Sequence, residues 1–280
     1  MNYNDWMLNT FNKFKNKYLL KRDLVILLQY VINKPYSYIL GFHDNILTEI
    51  EEKKLQYLLC RRIKGEPIAY IIEEKEFWSL SLKISNNVFI PRNDTECLIE
   101  HALLLISNKS AKILDLGTGS GAIALALAIE YPNSQIIGVD CYNEALSIAR
   151  FNANNLSIKN VTFVKSNWFN VLTSQKFDLI ISNPPYIDKL DKNLKFGDIS
   201  FEPKNALVSS NNGMYDIKLI IRKSRNYLIN NGWLIIEHGW LQGEFVRQIF
   251  KQCKYVDICT YHDYAGNERL TIGRWQLSIG

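Results

Sequence analysis

Apolar and polar positions along this chain change their period twice. Near the N-terminus the spacing is helical. Leu24, Leu27, Leu28 and Val31 recur on one face of a segment running from Asp23 to Ile32. Pro35 ends that element. Thr48-Glu49-Ile50-Glu51 has the form of a capping box opening a second helix. That helix continues through Leu55, Leu58, Leu59 and Arg62, and Gly65 stops it. Residues 1–64 therefore read as a bundle of four or five short helices. Residues 76–90 then alternate, with Phe77, Leu80, Leu82, Ile84, Val88 and Ile90 apolar and Asn86-Asn87 a plausible turn, so a connecting β-hairpin is expected. Arg92 to Glu96 opens a helix, with Asp94 placed to cap it.

Beyond that point short apolar runs alternate with helical segments, as a parallel sheet requires. Strands are predicted at 112–116, 135–139, 161–164, 177–182 and 233–237. The tail differs. Candidate strands at 255–261 and 268–275 leave little room for a helix between them, so an antiparallel edge hairpin is expected. The stretch from Ile187 to Gly213 has no period, and long irregular segments in compact domains usually serve function.

Composition narrows the class. Of 280 residues, 47% are hydrophobic, enough for a sizeable core, yet no apolar run is long enough to cross a membrane. The start of the chain lacks a basic region followed by an apolar stretch, so the expected location is the cytoplasm. The cysteines are scattered with no CxxC spacing, and the four histidines are dispersed, so no metal site is expected. The net charge of +5 would suit an RNA-rich or DNA partner, but the chain holds no dense basic block. The cluster Arg61-Arg62-Ile63-Lys64 reads as a solvated helix end complementing the dipole.

Two motifs carry the chemistry. In Ile113-Leu114-Asp115-Leu116-Gly117-Thr118-Gly119-Ser120-Gly121 an apolar run meets a glycine-rich turn, and an apolar helix follows. This is the opening of a nucleotide-binding α/β unit, in which glycines let the backbone approach a ligand. The next strand ends in Asp140, at about the 20-residue spacing expected of an acid that binds ribose hydroxyls. Neither the dinucleotide fingerprint nor a P-loop lysine is present. A carboxylate at Asp115 would repel a pyrophosphate but attract an amine or sulfonium, which favours S-adenosylmethionine over NAD.

The second motif, Asn183-Pro184-Pro185-Tyr186, follows the strand 177–182. Asn183 offers a side-chain carbonyl, Pro184 a backbone carbonyl beside a residue with no N–H, and Tyr186 a flat face with a polar tip. Together these suit two acceptors gripping a planar NH2 group while an aromatic ring flanks its plane. Capping of a turn is the ordinary alternative for Asn183.

Gly117 to Gly121 with Asp140 resembles the class I S-adenosylmethionine-dependent methyltransferases, and Asn183-Pro184-Pro185-Tyr186 resembles their amino-group methylating branch. Gly65-Glu66-Pro67-Ile68-Ala69-Tyr70, Glu76-Phe77-Trp78, Ile90-Pro91-Arg92-Asn93-Asp94-Thr95-Glu96, Phe201-Glu202-Pro203, Glu237-His238-Gly239-Trp240 and Asn267-Glu268-Arg269 narrow the resemblance. It is to the glutamine-N5 methyltransferases of peptide chain release factors, over nearly the whole chain.

The resemblance implies a Rossmann-like domain with a mostly parallel seven-stranded sheet and an antiparallel edge hairpin. It divides the chain into a helical substrate-docking domain at 1–75, the hairpin at 76–91 and the methyltransferase domain at 92–280. It implies S-adenosylmethionine bound by Gly117, Thr118, Gly119, Ser120, Gly121, Asp140, Asn167, Trp168 and Asn183. Asn183, Pro184, Pro185 and Tyr186 would bind the glutamine, with Asn183, Pro184 and Tyr186 catalytic.

The chain departs from the family pattern at Asn167, where Asp is usual, and at Asn93, where Pro is usual. The partner implied is a release factor, with no nucleic acid or membrane and the enzyme a monomer. An adenine-N6 nucleic-acid methyltransferase is the alternative. It would be expected to carry a basic, aromatic-studded recognition domain, which the helical N-terminal region does not resemble. His238, at the end of a strand, reads as a packed residue, and Phe201 as buried in a turn.

Overall fold

A computed structural model describes residues 1–14, 20–107 and 110–277. Residues 15–19, within the expected helical region, lie outside the described residues. The chain separates into two compact units: Met1–Glu74 with Lys192–Phe201, and Lys75–Asp191 with Glu202–Gly280.

The first unit contains helices α1 (Tyr3–Phe14), α2 (Lys21–Ile32), α3 (Tyr36–Gly41), α4 (Glu49–Ile63) and α5 (Ile68–Ile72). Trp6, Leu24, Leu27, Leu28, Ile39, Leu55, Leu58 and Ile71 form its core. The capping box at Thr48 is closed in both directions: Glu51 N–H donates to the threonine hydroxyl at 3.3 Å, and Thr48 N–H to the Glu51 carboxylate at 2.7 Å. Gly65 leaves α4 with φ +98°, a conformation that disfavours a side chain.

The basic cluster ending α4 is not a solvated terminus. Arg62 is buried and pairs with buried Asp23 of α2 at 2.9 Å and with Asp198 at 3.3 Å. Arg61 grips Glu66 through two bonds of 2.8 and 2.6 Å. The last turn of α4 packs on α2, and a guanidinium carried inside must meet a carboxylate there. The segment 192–201 within the aperiodic stretch belongs to this unit. Phe201 is 41% exposed, contrary to the buried turn residue expected, and its ring lies along the backbone at Gly65.

A hairpin of β1 (Glu74–Phe77) and β2 (Leu80–Lys83) follows, all but its first residue in the second unit. Its turn is Trp78-Ser79, with φ of +50° and +58°, and not Asn86-Asn87. Trp78 makes this turn possible through two carboxylates: its backbone N–H donates to Glu96 at 2.9 Å and its indole N–H to Glu130 at 2.7 Å. These partners lie far along the chain, so no local pattern announces the turn.

Helix α6 (Glu96–Leu105) precedes alternating β3 (Lys112–Leu116), α7 (Ala122–Glu130), β4 (Gln135–Asp140), α8 (Asn143–Asn155), β5 (Val161–Lys165) and β6 (Phe177–Ser182). The aperiodic stretch holds a short parallel pair, β7 (Ile187–Asp188) and β8 (Val208–Ser209), and one turn of helix, α9 (Lys204–Leu207). Then come α10 (Tyr215–Ser224), β9 (Leu228–Glu237), α11 (Gly243–Gln252), β10 (Val256–His262) and β11 (Glu268–Arg274). The seven-stranded sheet runs β10-β11-β9-β6-β3-β4-β5. Its interior pairs are parallel, and β11 pairs antiparallel with both β9 and β10, giving the edge hairpin. α7 is buried almost throughout, as its run of alanine and leucine requires.

The register places the chemistry. The chain builds outward from β3 to β4 and β5, then returns to β6 on the other side of β3. That reversal is the topological switch point, where ligands bind at the carboxyl ends of strands in open α/β sheets. Leu116 pairs with Ser182 and with Val139, and Ser182 pairs with Ile236. The glycine turn, Asp140, Asn183 and Glu237 therefore emerge from four neighbouring strands at one level.

Candidate active site

The glycine turn is held by backbone. Gly117 N–H and Thr118 N–H both donate to the Val139 carbonyl at 2.9 Å, and Gly121 N–H to Thr118 C=O at 2.8 Å. All three glycines have positive φ, +74°, +55° and +84°. A Cβ added at Gly119 would meet nothing within 4 Å, so open space lies directly above the turn. A Cβ at Gly121 would crowd Phe163, Ala149 and Leu125 at 3.1–3.2 Å, so this glycine serves packing.

Asp140 closes the turn from the next strand. Its Oδ2 accepts from Gly119 N–H and its Oδ1 from Tyr142 N–H, each at 3.0 Å. Burial raises its pKa, and those backbone donors oppose the shift. Each oxygen keeps lone-pair capacity for a further donor.

Asp115 differs from its expected role. It is fully buried, and its Oδ2 takes the Thr118 hydroxyl at 2.6 Å. It braces the turn from beneath and does not face the open space. Burial pushes its pKa up to about 7, against the opposing Thr118 bond, and its Oδ1 has no hydrogen-bond partner. Thr118 and Ser120 are themselves buried, so the turn presents backbone, not hydroxyls. Past β5, Asn167 is exposed, and the Trp168 ring lies 3.4 Å from where a Cβ of Gly117 would stand.

The Asn183-Pro184-Pro185-Tyr186 loop is held by side chains from elsewhere. Asn183 Nδ2 donates to the Thr95 hydroxyl at 3.2 Å, which turns Oδ1 the other way. Neither Asn183 Oδ1 nor the Pro184 carbonyl accepts a hydrogen bond within the described residues. Tyr186 O–H donates to Glu237 Oε1 at 3.1 Å, and Arg269 Nη1 approaches the same hydroxyl at 3.5 Å. Burial and the Glu237 charge raise the Tyr186 pKa, so the phenol stays neutral. The Tyr186 carbonyl is fixed by Gln242 Nε2 at 3.0 Å. Gly213 passes so close to that carbonyl that a Cβ would overlap it at 2.0 Å.

Glu237 is buried, and its pKa is pushed up to about 7 by that burial, opposed by the Thr95 hydroxyl, Arg269 and Tyr186. Its Oε2 makes no hydrogen bond. Arg269 is paired with Asp263 at 3.0 Å. His238 is fully buried, its Nδ1 at 3.0 Å from the Gly239 carbonyl and its Nε2 at 2.8 Å from the Thr271 hydroxyl. Nδ1 therefore carries the hydrogen, and burial lowers the pKa to about 4, leaving a neutral packing residue.

Three residues of this arrangement escaped the sequence reading. Thr95 lies in the expected helix start, but no side-chain cap is made there, and its hydroxyl accepts from Asn183. Glu237 and Arg269 lie in segments noted for their resemblance, with no role attached. The signal available was a carboxylate ending a strand that borders β6. Glu202 is a further buried acid, paired with Arg92 and accepting Ile90 N–H at 3.1 Å.

Residues 107–275 match the model of a methyltransferase domain, and residues 15–72 match that of the PrmC N-terminal domain. The release factor glutamine methyltransferase of Salmonella typhimurium is 47% identical over 98% of this chain and 99% of its own length. The chain belongs to the release factor glutamine methyltransferase family. The family member of Buchnera aphidicola is 50% identical over 98% of this chain and 99% of its own. Among solved structures, a methyltransferase from Pyrococcus furiosus superposes with a TM-score of 0.55 at 17% identity, covering 79% of this chain and 100% of that one. That likeness shows the shared class I methyltransferase fold. No helix among the described residues is long and apolar enough to cross a membrane.

Proposed function

We propose that this enzyme transfers a methyl group from S-adenosylmethionine to the side-chain amide nitrogen of a glutamine in a peptide chain release factor, the glutamine of its Gly-Gly-Gln loop. The observation that carries this reading is the pair of unused acceptors, Asn183 Oδ1 and Pro184 C=O, at the level of the glycine turn. An amide NH2 has two hydrogens in one plane, and acceptors on two consecutive residues can take one each. A carboxylate or hydroxyl acceptor substrate would not.

The donor set suits S-adenosylmethionine. Open space above Gly119 accepts a ligand backbone, Asp140 keeps lone pairs for ribose hydroxyls, and the exposed Asn167 amide can accept from an adenine amino group. Trp168 stands beside Gly117, within reach of the same ligand. No phosphate-binding lysine follows the turn. Bound there, the sulfonium supplies an electrophilic methyl group.

A glutamine amide nitrogen is a poor nucleophile, because its lone pair is delocalised into the carbonyl. Asn183 and Pro184 orient it and stabilise the positive charge that develops as the nitrogen pyramidalises. Tyr186, neutral and anchored on Glu237, flanks the amide plane. No cysteine, lysine or histidine directly flanks the loop in sequence, and a covalent intermediate is not needed. The amide loses its proton late, when the methylated nitrogen is strongly acidic.

The helical unit is assigned to docking of the release factor, so remote contacts orient the acceptor. A short Gly-Gly-Gln peptide is then a poor substrate beside the whole factor. The test is incubation with labelled S-adenosylmethionine and either intact release factor or duplex DNA. Label on the factor's glutamine is the expected result. Label on DNA adenine with none on the factor would overturn the function.

A further inference from the structure

Asn183 serves the reaction only if its oxygen, and not its nitrogen, faces the substrate. The two ends of a side-chain amide have nearly the same shape, so packing cannot decide between them. Hydrogen-bond polarity can. Building on the function proposed above, we propose that the buried carboxylate of Glu237 and the hydroxyl of Thr95 set which end of the Asn183 amide faces the substrate, making both positioning residues for methyl transfer.

The chain of donors runs in one direction. Asn183 Nδ2 donates to Thr95 Oγ1 at 3.2 Å. A hydroxyl has a single hydrogen, so Thr95 must direct its own elsewhere. The Thr95 hydroxyl favours the charged form of Glu237, whose Oε2 makes no hydrogen bond. Tyr186 sends its hydrogen to the other oxygen at 3.1 Å. An ionised carboxylate only accepts, so Tyr186 donates to it, and a Thr95 hydroxyl in its field turns its hydrogen the same way. The Thr95 lone pair is left for Nδ2, and Asn183 Oδ1 is left for the substrate. Thr95 and Glu237 are 3% and 1% exposed, so water cannot substitute for either partner.

A neutral group at 237 removes the direction. A protonated acid or an amide can donate, which frees Thr95 to turn its hydrogen to Asn183. The asparagine then gains by flipping, and its NH2 would meet the NH2 of the substrate, donor against donor. The network explains why an acid with an unpartnered oxygen lies inside this domain at a cost in stability.

The other charged groups around Glu237 are accounted for. Arg269 on β11, Tyr186 after β6 and Asp94 before α6 act on it directly. On α6, Glu96 is held by Trp78 N–H, Glu100 accepts from Tyr264 O–H, and burial lowers the His101 pKa. His238 stays neutral down to about pH 4. Asp115 shares the range near 7 with Glu237, but it braces the cofactor turn. Its titration should appear in cofactor affinity, and that of Glu237 in kcat at saturating cofactor.

The experiment measures kcat on intact release factor at saturating S-adenosylmethionine, with cofactor affinity by calorimetry. The variants are Thr95→Val, Thr95→Ser, Glu237→Gln and, as reference, Asn183→Ala. Thr95→Val and Glu237→Gln should lose about 100-fold in kcat, the scale of one misplaced transition-state hydrogen bond, with cofactor affinity kept. Thr95→Ser retains the hydroxyl and should retain turnover. The wild-type kcat should fall about tenfold per pH unit below about pH 7, and Glu237→Gln should lack that limb. Wild-type kcat in Thr95→Val, or an acid limb that persists in Glu237→Gln, overturns the inference. If Glu237→Gln does not fold, the near-isosteric Val and Ser variants of Thr95 still decide. If Asn183→Ala turns over normally, the proposed function fails. If Asn183→Ala is inactive while Thr95→Val is active, only this inference falls.

Discussion

The glycine turn and the Asn183-Pro184-Pro185-Tyr186 loop leave adjacent strands at one level, yet they are built on opposite principles. The turn is held mostly by backbone bonds within a few residues and to β4, with Asp115 and Asp140 bracing it from its own strand and the next, and its conformation follows from three glycines with positive φ. The loop holds nothing by itself. Thr95, Glu237, Gln242, Gly213 and Arg269 position it, from segments up to 88 residues away. A site whose partner is bound mainly by backbone can be local. A site that must present two acceptors and no donor needs the polarity of each group imposed from outside.

That contrast predicts different failures. The largest effect is expected at the loop. Asn183→Ala should cut kcat by about 100- to 1000-fold, because its oxygen acts on charge that exists chiefly in the transition state. Cofactor affinity, read by calorimetry, should change little. Asp140→Ala should show the reverse, losing about 1.5–3 kcal/mol of S-adenosylmethionine binding, the worth of a charged hydrogen bond. Unchanged affinity in a folded variant would remove Asp140 from the cofactor site. Gly121→Ala acts on the fold. With φ at +84° and Phe163 at 3.1 Å, it should lower stability by about 1–3 kcal/mol, measured by denaturant unfolding.

The smallest effect separates the stability of Glu237 from its service to the site. Its folded pKa is raised to about 7, so between the ordinary carboxylate range and pH 7 the folded state holds a proton that the unfolded chain has lost. Stability from this group therefore falls as pH rises through that window. Glu237→Gln should raise Tm at pH 8 relative to wild type and leave it nearly level at pH 4. A variant less stable than wild type at pH 8 but level with it at pH 4 would show that the charge itself supports the fold.

What the sequence revealed follows the same division. Every strand of the sheet was visible, because buried parallel strands are short apolar runs bounded by turns, and the tail hairpin showed in the missing helix. The glycine turn was legible for the same local reason. The hairpin turn at Trp78-Ser79 was not, since it depends on Glu96 and Glu130. The same holds for Arg62, whose partner Asp23 lies 39 residues away, and for Thr95, whose partner Asn183 lies 88 residues away. Motifs name the residues that touch ligands. Their supports are set by the register of strands, which only the fold brings together.

The account rests on one selection, a planar NH2 gripped by two acceptors, and tandem mass spectrometry of the release factor after reaction tests it most directly. The wild-type enzyme should place a single methyl group on the side-chain nitrogen of the Gly-Gly-Gln glutamine and none on a factor carrying glutamate there. Over the time in which the wild type completes the reaction, Asn183→Ala should leave both factors almost unmodified. Methylation of the glutamate-bearing factor at that position, or full modification of the glutamine by Asn183→Ala, would contradict the account.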